Sequence, residues 1–188
     1  MELYEKAVAF ALERHQGMRR KLTSLPYILH PLETSVIAST VTADAEVLAA
    51  ALLHDTLEDT STSKDEIKAE FGERVLALVM SETENKRRDL PPEQSWRIRK
   101  EEALEKLKNA DDIGVKIVWL SDKLSNMRSL YRTWKTEKDN VWQSFHMRDL
   151  TLQAWYYRSV AEYTKELNGT DAWREYNTII EKIFEGVK

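Results

Sequence analysis

Four groups that can bind a metal ion or carry a proton stand at the end of an apolar segment. Residues 47–53 are apolar throughout, and His54 and Asp55 follow them directly, with Glu58 and Asp59 a few positions later. Burying an unpaired carboxylate costs several kcal/mol, so a buried cluster of this kind needs a cation or a base beside it. The alternative interpretation is a helix that reaches the surface here and ends in solvent.

Two further polar residues stand in apolar surroundings elsewhere in the chain. His30 follows the segment 26–29, and Asp122 ends the largely apolar run 115–121. A lone histidine or aspartate in such a place is more often a hydrogen-bonded core residue. Three such places in one chain without cysteine are better explained by a single shared ion, held by imidazole and carboxylate ligands.

Composition narrows the classes of protein that remain. The 188 residues include no cysteine, which excludes disulfides and thiolate metal sites and fits a reducing cytoplasm. There is no apolar run long enough for a membrane span and no apolar segment typical of a secretory signal at the N-terminus. The net charge of −4 argues against a broad nucleic-acid surface, which usually needs a basic excess.

Helices must carry the candidate residues, because only five glycines and four prolines punctuate the chain. The pattern predicts an all-α, single-domain bundle of about 8–10 helices. Asp44 is the expected N-cap of the central apolar helix, and Ser63 with Glu66 forms a capping box for the next one. The other predicted helices are one from Leu3 to near Gly17, Leu32–Thr40, one from Val75, 96–108, 111–134, 141–167 and 172–185, with a polar loop at 84–95.

The order of these residues resembles a known family. His30, then His54 with Asp55, then Asp122 matches the motif of the HD phosphohydrolase superfamily, and the chain resembles the hydrolase domain of the RelA/SpoT enzymes, especially the stand-alone small alarmone hydrolases. The resemblance covers residues 4 to about 130, and it departs from the family at residues 22–25 and at Leu120-Ser121. The segments that carry it are His15-x-Gly-x-x-Arg20-Lys21, Pro26–Pro31, Ala50–Thr60, Phe71-Gly72 and Leu120–Arg128.

The resemblance implies one HD domain over residues 1–188, with the motifs in 4–130 and helices in 141–185 completing the core. It implies a 3′-pyrophosphohydrolase that removes the 3′-diphosphate of (p)ppGpp as pyrophosphate, leaving GDP or GTP. One divalent ion, Mn²⁺ by preference, would be the cofactor. The implied metal ligands are His30, His54, Asp55 and Asp122; the catalytic pair is Glu58 and Asp59; the nucleotide-binding residues are Arg20, Lys21 and Asn126.

Helical spacing agrees with part of this assignment. Glu58 lies four positions after His54 and hence on the same helix face, one turn along, where it could handle the attacking water. Asn126 lies four positions after Asp122 and faces the same cleft on the same argument. The alternatives are a solvated helix end for Glu58 and Asp59 and an ordinary polar side chain for Asn126.

Three other functions stay open at this point. The substrate could be another nucleotide, such as (p)ppApp or a 5′-nucleotide. The chain could bind nucleotides without turning them over, or it could be a helical bundle in which the HD pair is accidental. Whether Arg97, Arg99 and Lys100 touch substrate or solvent is also open.

Overall fold

A computed structural model describes residues 2–21, 23–87 and 89–187 of the protein. Within these ranges the chain forms ten α-helices and two short 3-10 helices, with no β-strand, which confirms the all-α prediction. The α-helices are α1 Leu3–Arg14, α2 Leu29–Ser39, α3 Ala45–Leu53, α4 Thr56–Asp59, α5 Lys64–Phe71, α6 Glu73–Glu82, α7 Pro92–Lys108, α8 Ile113–Glu137, α9 Leu150–Tyr163 and α10 Asp171–Ile183; the 3-10 helices are Lys138–Ser144 and Lys165–Leu167.

The apolar helix α3 lies at the centre of the bundle. It packs against α1, α2, α6 and α8, and all of residues 49–53 are fully buried. Alanine at 49–51 lets the neighbouring helices approach closely, and Leu52 and Leu53 fill the space between them. The helix therefore ends, at His54, inside the protein rather than in solvent.

One arginine connects the starts of α3 and α8. Asp44 caps α3 and Asp112 caps α8, each accepting hydrogen bonds from backbone N–H groups of the first turn. Arg74 of α6 pairs with Asp44 Oδ2 at 2.7 Å and with Asp112 Oδ2 at 2.9 Å. Each helix runs ten positions from its cap to a candidate ligand, His54 in one and Asp122 in the other. Both residues consequently reach the same end of the bundle.

Two helices begin earlier than the sequence predicts. α2 begins at Leu29 rather than Leu32, and Pro31 is accepted in its first turn because N–H groups there have no partner within the helix. α7 begins at Pro92 rather than near residue 96, for the same reason. Of the predicted 84–95 loop, residues 84–87 and 89–91 lie outside the helices, and Arg88 lies outside the described part of the chain. The capping box of Ser63 and Glu66 is confirmed, with both reciprocal hydrogen bonds formed.

The prediction of one helix over 141–167 is wrong. After α8 ends, Lys138 takes a positive φ of 51° and opens a 3-10 helix, and α9 begins only at Leu150. Asp149 accepts hydrogen bonds from two N–H groups of that first turn, and this side-chain cap favours a helix start there over a continuous helix. α10 then packs against α8 and α9.

A continuous hydrophobic core joins the N-terminal and C-terminal helices. It includes Ala7 of α1 and Phe184, just after α10, and Trp119 and Trp142 are among its largest fully buried side chains. None of the helices in the described ranges combines the length and the apolar character needed to cross a membrane.

Candidate metal centre

Ligand atoms from three helices converge beyond the end of α3. His30 of α2, His54 after α3 and Asp122 of α8 each offer one atom, and these atoms all lie within 4.8 Å of one another. The Nε2 atoms of the two histidines are 3.3 Å apart, and Asp122 Oδ1 lies 2.9 Å from His30 Nε2 and 3.4 Å from His54 Nε2. All three residues are buried.

Asp55 closes the group on its open side. Its Oδ2 lies 3.0 Å from His54 Nε2 and 3.5 Å from His30 Nε2, and its side chain is 22% exposed. The Tyr27 hydroxyl donates to the same oxygen at 2.6 Å. The four residues predicted as ligands are therefore brought together, and we call His30, His54, Asp55 and Asp122 the metal corner.

The hydrogen bonds of the Nδ1 atoms determine the tautomers of both imidazoles. His54 Nδ1 lies 2.9 Å from the carbonyl oxygen of Ala51, which can only accept, so this nitrogen carries the proton. His30 Nδ1 lies 2.9 Å from Ser125 Oγ, whose single proton goes to Glu33 Oε2 at 2.9 Å, so this nitrogen also donates. In the neutral rings both Nε2 atoms are thus acceptors.

The metal corner is electrostatically suited to a cation. Two carboxylate oxygens and the Nε2 atoms of two imidazoles meet there, and all four are acceptors when both rings are neutral. Burial opposes a charged imidazole, yet the carboxylates of Asp55 and Asp122 raise the pKa of His54 well above its usual value. Burial lowers the pKa of His30, which keeps that ring neutral. Positive charge is favoured at the point where the atoms meet, and a nitrogen and oxygen donor set of this kind fits a divalent ion.

A second group of side chains fixes Asp122. Asn126 Nδ2 donates to its Oδ1 at 2.7 Å, and Lys123 pairs with its Oδ2 and with Glu82 Oε2, the latter at 3.0 Å. Burial opposes ionisation of Asp122, but Lys123 and His54 hold its pKa well below the ordinary range. Burial raises the pKa of Glu82 to about 7 despite the nearby lysine. Asp122 is therefore the carboxylate of this group that keeps its charge.

The candidate nucleotide-binding residues lie beside this corner, with one exception. Arg20 Nη2 donates to Asn126 Oδ1 at 2.8 Å, and its guanidinium carbon lies 5.5 Å from the centre of the Tyr27 ring. Asn126 lies beside Asp122, as its spacing predicts. Lys21 is exposed, on the loop between α1 and α2. Two of the three candidates are thus brought together at the metal corner.

The expectation that Glu58 continues the helix of His54 is wrong. α3 ends at Leu53, and the four-residue α4 begins at Thr56. The break has a local cause, because His54 Nδ1 donates to the carbonyl of Ala51 and Thr56 Oγ1 donates to that of Leu53 at 2.7 Å. These side chains take carbonyl oxygens that the next helical turn would otherwise use.

Glu58 and Asp59, which we call the acidic edge, face the segment that follows α6. Glu58 Oε2 accepts from the backbone N–H of Glu84 at 3.1 Å, and Lys86 Nζ lies 3.5 Å from Glu58 Oε1 and 2.7 Å from Asp59 Oδ1. Burial raises the pKa of Glu58, and the negative charges of Glu84 and Asp55 act in the same direction.

Several contacts at this site were not predicted from the sequence. Lys86 lies in a polar loop without a regular pattern, and only its position beside the acidic edge gives it a role. Tyr27 precedes His30 by three positions, and its placement within an apolar segment was the available signal. Arg99 and Lys100 pair with Glu84 at 2.8 and 2.6 Å, whereas Arg97 pairs with Glu101 at the surface.

Comparisons with known proteins find relatives of this chain. Residues 7–150 match the HD domain family. The mouse guanosine-3′,5′-bis(diphosphate) 3′-pyrophosphohydrolase MESH1 is 34% identical over 183 residues, which cover 96% of this chain and 92% of that protein. The Aquifex aeolicus protein of the same enzymatic name is 42% identical over 130 residues. That match covers 69% of this chain but only 18% of the Aquifex protein, so the chain spans less than a fifth of that relative.

A solved structure has the same fold over the whole chain. It is described as "A metazoan ortholog of SpoT hydrolyzes ppGpp and plays a role in starvation responses" and is 28% identical in sequence. The superposition has a TM-score of 0.72 and covers 100% of this chain and 98% of the other. The similarity therefore includes α9 and α10, beyond the residues that match the family.

Proposed function

This chain belongs to the HD domain family, and on that premise we propose that it hydrolyses the 3′-diphosphate of (p)ppGpp, releasing pyrophosphate and GDP or GTP. The observation that carries the proposal is the convergence of four acceptor atoms in the metal corner. The likeness to MESH1 over nearly the full length of both proteins supports the choice of substrate.

We propose that His30, His54, Asp55 and Asp122 hold one divalent ion, with Mn²⁺ as the preferred metal. Two nitrogen and two oxygen donors suit Mn²⁺ and also accept Fe²⁺ or Zn²⁺. When bound, the ion supplies Lewis-acid chemistry: it neutralises phosphate charge and makes water more acidic. Lys123 and Asn126 hold the Asp122 carboxylate in place, so this ligand needs little reorganisation.

Glu58 is the proposed general base, and Asp59 supports it. Burial raises the pKa of Glu58 and so brings this pKa closer to neutral pH. A carboxylate is most effective as a general base when its pKa lies near the working pH. The N–H of Glu84 fixes one oxygen of Glu58. Lys86 contacts both carboxylates of the acidic edge and so keeps them side by side.

Arg20, Lys21 and Asn126 are the proposed contacts to the nucleotide. The planar guanidinium of Arg20 is already oriented by Asn126 and by the Tyr27 ring, so it can stack on a purine with little loss of side-chain entropy. Lys21 is exposed on the same loop and can donate to phosphate. Asn126 offers its amide to ribose or phosphate.

A substrate panel tests this function. Protein loaded with Mn²⁺ is incubated separately with ppGpp, pppGpp, ppApp and a 5′-nucleoside monophosphate, and the products are separated by chromatography. We expect pyrophosphate with GDP from ppGpp, and pyrophosphate with GTP from pppGpp. Orthophosphate as the sole product, or turnover of the monophosphate alone, would overturn the assignment. The Glu58→Gln variant with equal metal content is the matched control for contaminating activity.

A further inference from the structure

We infer that Glu33 is a positioning residue of the metal site: acting through Ser125, it fixes the His30 tautomer and thereby the affinity for the ion. This inference rests on the proposed metal site, and it concerns Glu33, which lies outside the segments that carry the resemblance, and Ser125, to which the resemblance assigns no role. We call His30, Ser125 and Glu33 the positioning chain.

The Glu33 carboxylate determines which atom donates in each hydrogen bond of the positioning chain. A carboxylate accepts only, so the Ser125 hydroxyl must give its proton to Glu33 Oε2, 2.9 Å away. Ser125 then has only lone pairs to offer to His30 Nδ1, also 2.9 Å away, and this nitrogen must be the protonated one. The lone pair on Nε2 is consequently left facing the metal corner.

The two histidines differ in how their tautomer is fixed. His54 uses the carbonyl of Ala51, three positions earlier on its own helix, and both groups are buried. His30 depends on α8 for Ser125, which is buried, and on Glu33, whose side chain is 29% exposed. The first arrangement is local to α3, whereas the second depends on the packing of α2 against α8.

Glu33 is itself held from the C-terminal part of the chain. Arg128 of α8 donates to Glu33 Oε1 at 3.3 Å and forms two hydrogen bonds to Glu175 of α10, at 2.6 and 2.7 Å. These three side chains line one side of a surface cavity of about 580 Å³. The arginine keeps Glu33 turned toward Ser125, so the position of α10 supports the orientation of His30.

Removing Glu33 frees the serine proton. In Glu33→Ala the Ser125 hydroxyl can rotate and donate to His30 Nδ1, which moves the ring proton to Nε2, where it competes with the ion. In Ser125→Ala the imidazole loses its partner and its fixed orientation. Loss of such a partner of a metal-ligating histidine typically costs about 10–100-fold in metal affinity.

A double-mutant cycle tests the inference by Mn²⁺ binding in competition with a chelator, without nucleotide. We expect Glu33→Ala and Ser125→Ala each to weaken binding by about 10–100-fold. The double variant should bind no more weakly than Ser125→Ala alone, since Glu33 acts only through the serine. Ser129→Ala, a buried serine one turn along α8, is the matched control and should bind like the wild type.

Wild-type affinity in both single variants, or independent losses that add in the double variant, would overturn the inference. Thermal melting checks that the variants are folded. Should one of them not fold, nitrogen-15 spectra of the wild-type imidazoles with Zn²⁺ decide instead: a proton on His30 Nδ1 supports the positioning chain, and an unprotonated Nδ1 refutes it. A wild-type protein that binds no divalent ion would refute the metal site itself, which separates the two failures.

Discussion

The metal corner and the acidic edge are neighbours, yet they are built differently. Three of the four residues of the metal corner are buried on or directly after the helices α2, α3 and α8, and each has a second partner. Glu58 and Asp59 lie on a four-residue helix and are held by the loop that follows α6. The part that would bind the ion is thus fixed by the core, whereas the part that would move a proton depends on a loop.

This difference separates binding from turnover. Changes in the metal corner should remove the ion and the activity together, because the ligands are part of the packed interior. Changes in the acidic edge should leave the ion in place and reduce only the reaction. The predictions below test that separation, beginning with the largest effect.

Replacement of Asp122 by alanine should abolish both properties. The variant loses a buried ligand, and we expect activity to fall by about 10³-fold or more, since the ion's charge stabilisation is worth several kcal/mol. Metal content after dialysis and initial rates measure the two effects. The control is Asp112→Ala at the N-cap of the same helix, which should lose about 1 kcal/mol of stability but keep the ion. Stoichiometric metal in Asp122→Ala would exclude Asp122 as a ligand.

Replacement of Glu58 by glutamine should separate the two regions most clearly. The amide keeps the size of the side chain but cannot accept the proton, so kcat should fall by about 10²–10⁴-fold with metal content unchanged. Asp59→Asn is the comparison, with a smaller loss because this residue only supports the base. Unchanged kinetics in Glu58→Gln would remove it from the mechanism.

The pH dependence should report the acidic edge. Burial raises the pKa of Glu58, so its basic form is lost on acidification at a pH above the usual range of a glutamate. We therefore expect the acid limb of kcat/KM to lie above the ordinary glutamate pKa of about 4.5. Metal content measured at each pH distinguishes this from loss of the ion, and a limb at or below the ordinary value would contradict the prediction.

Lys86 should show the smallest effect. Its ion pairs are partly exposed, so Lys86→Met should change stability by less than about 1 kcal/mol. Removing the positive charge should raise the pKa of Glu58 further and move the acid limb of kcat/KM to higher pH. Lys86→Arg keeps the charge and should stay close to the wild type. A limb that stays in place in Lys86→Met would show that the lysine has no influence on the base.

The sequence pointed to three places where polar residues end or interrupt apolar segments, and the family resemblance then selected His30, His54, Asp55 and Asp122 as the ligands. His54 and Asp122 are conspicuous for this reason, and helical spacing placed Asn126 beside them. The same spacing failed for Glu58, because His54 and Thr56 capture carbonyl oxygens and end α3. The outcome depended on side-chain hydrogen bonds that periodicity does not describe.

The positioning chain could not be predicted for a different reason. Ser125 and Glu33 lie 92 positions apart, and both are ordinary residues on a helix surface until α2 packs against α8. The break before α9 did have a local signal in Asp149, the residue that caps the helix, but the apolar pattern on both sides concealed it. Tertiary packing decided the first case, and a single cap decided the second.

The shared anchor at Arg74 has a consequence for how this protein can vary. Arg74 pairs with the N-caps of both α3 and α8, and His54 and Asp122 lie at equal distances along the chain from those caps. Inserting a single residue in either helix before the ligand would rotate that ligand by about 100° and shift it by about 1.5 Å along the helix axis. Substitutions along these helices can be absorbed by repacking, but a change of length cannot. Insertions and deletions compatible with activity should therefore fall in the loops. The segments from Asp44 to His54 and from Asp112 to Asp122 should keep their equal length.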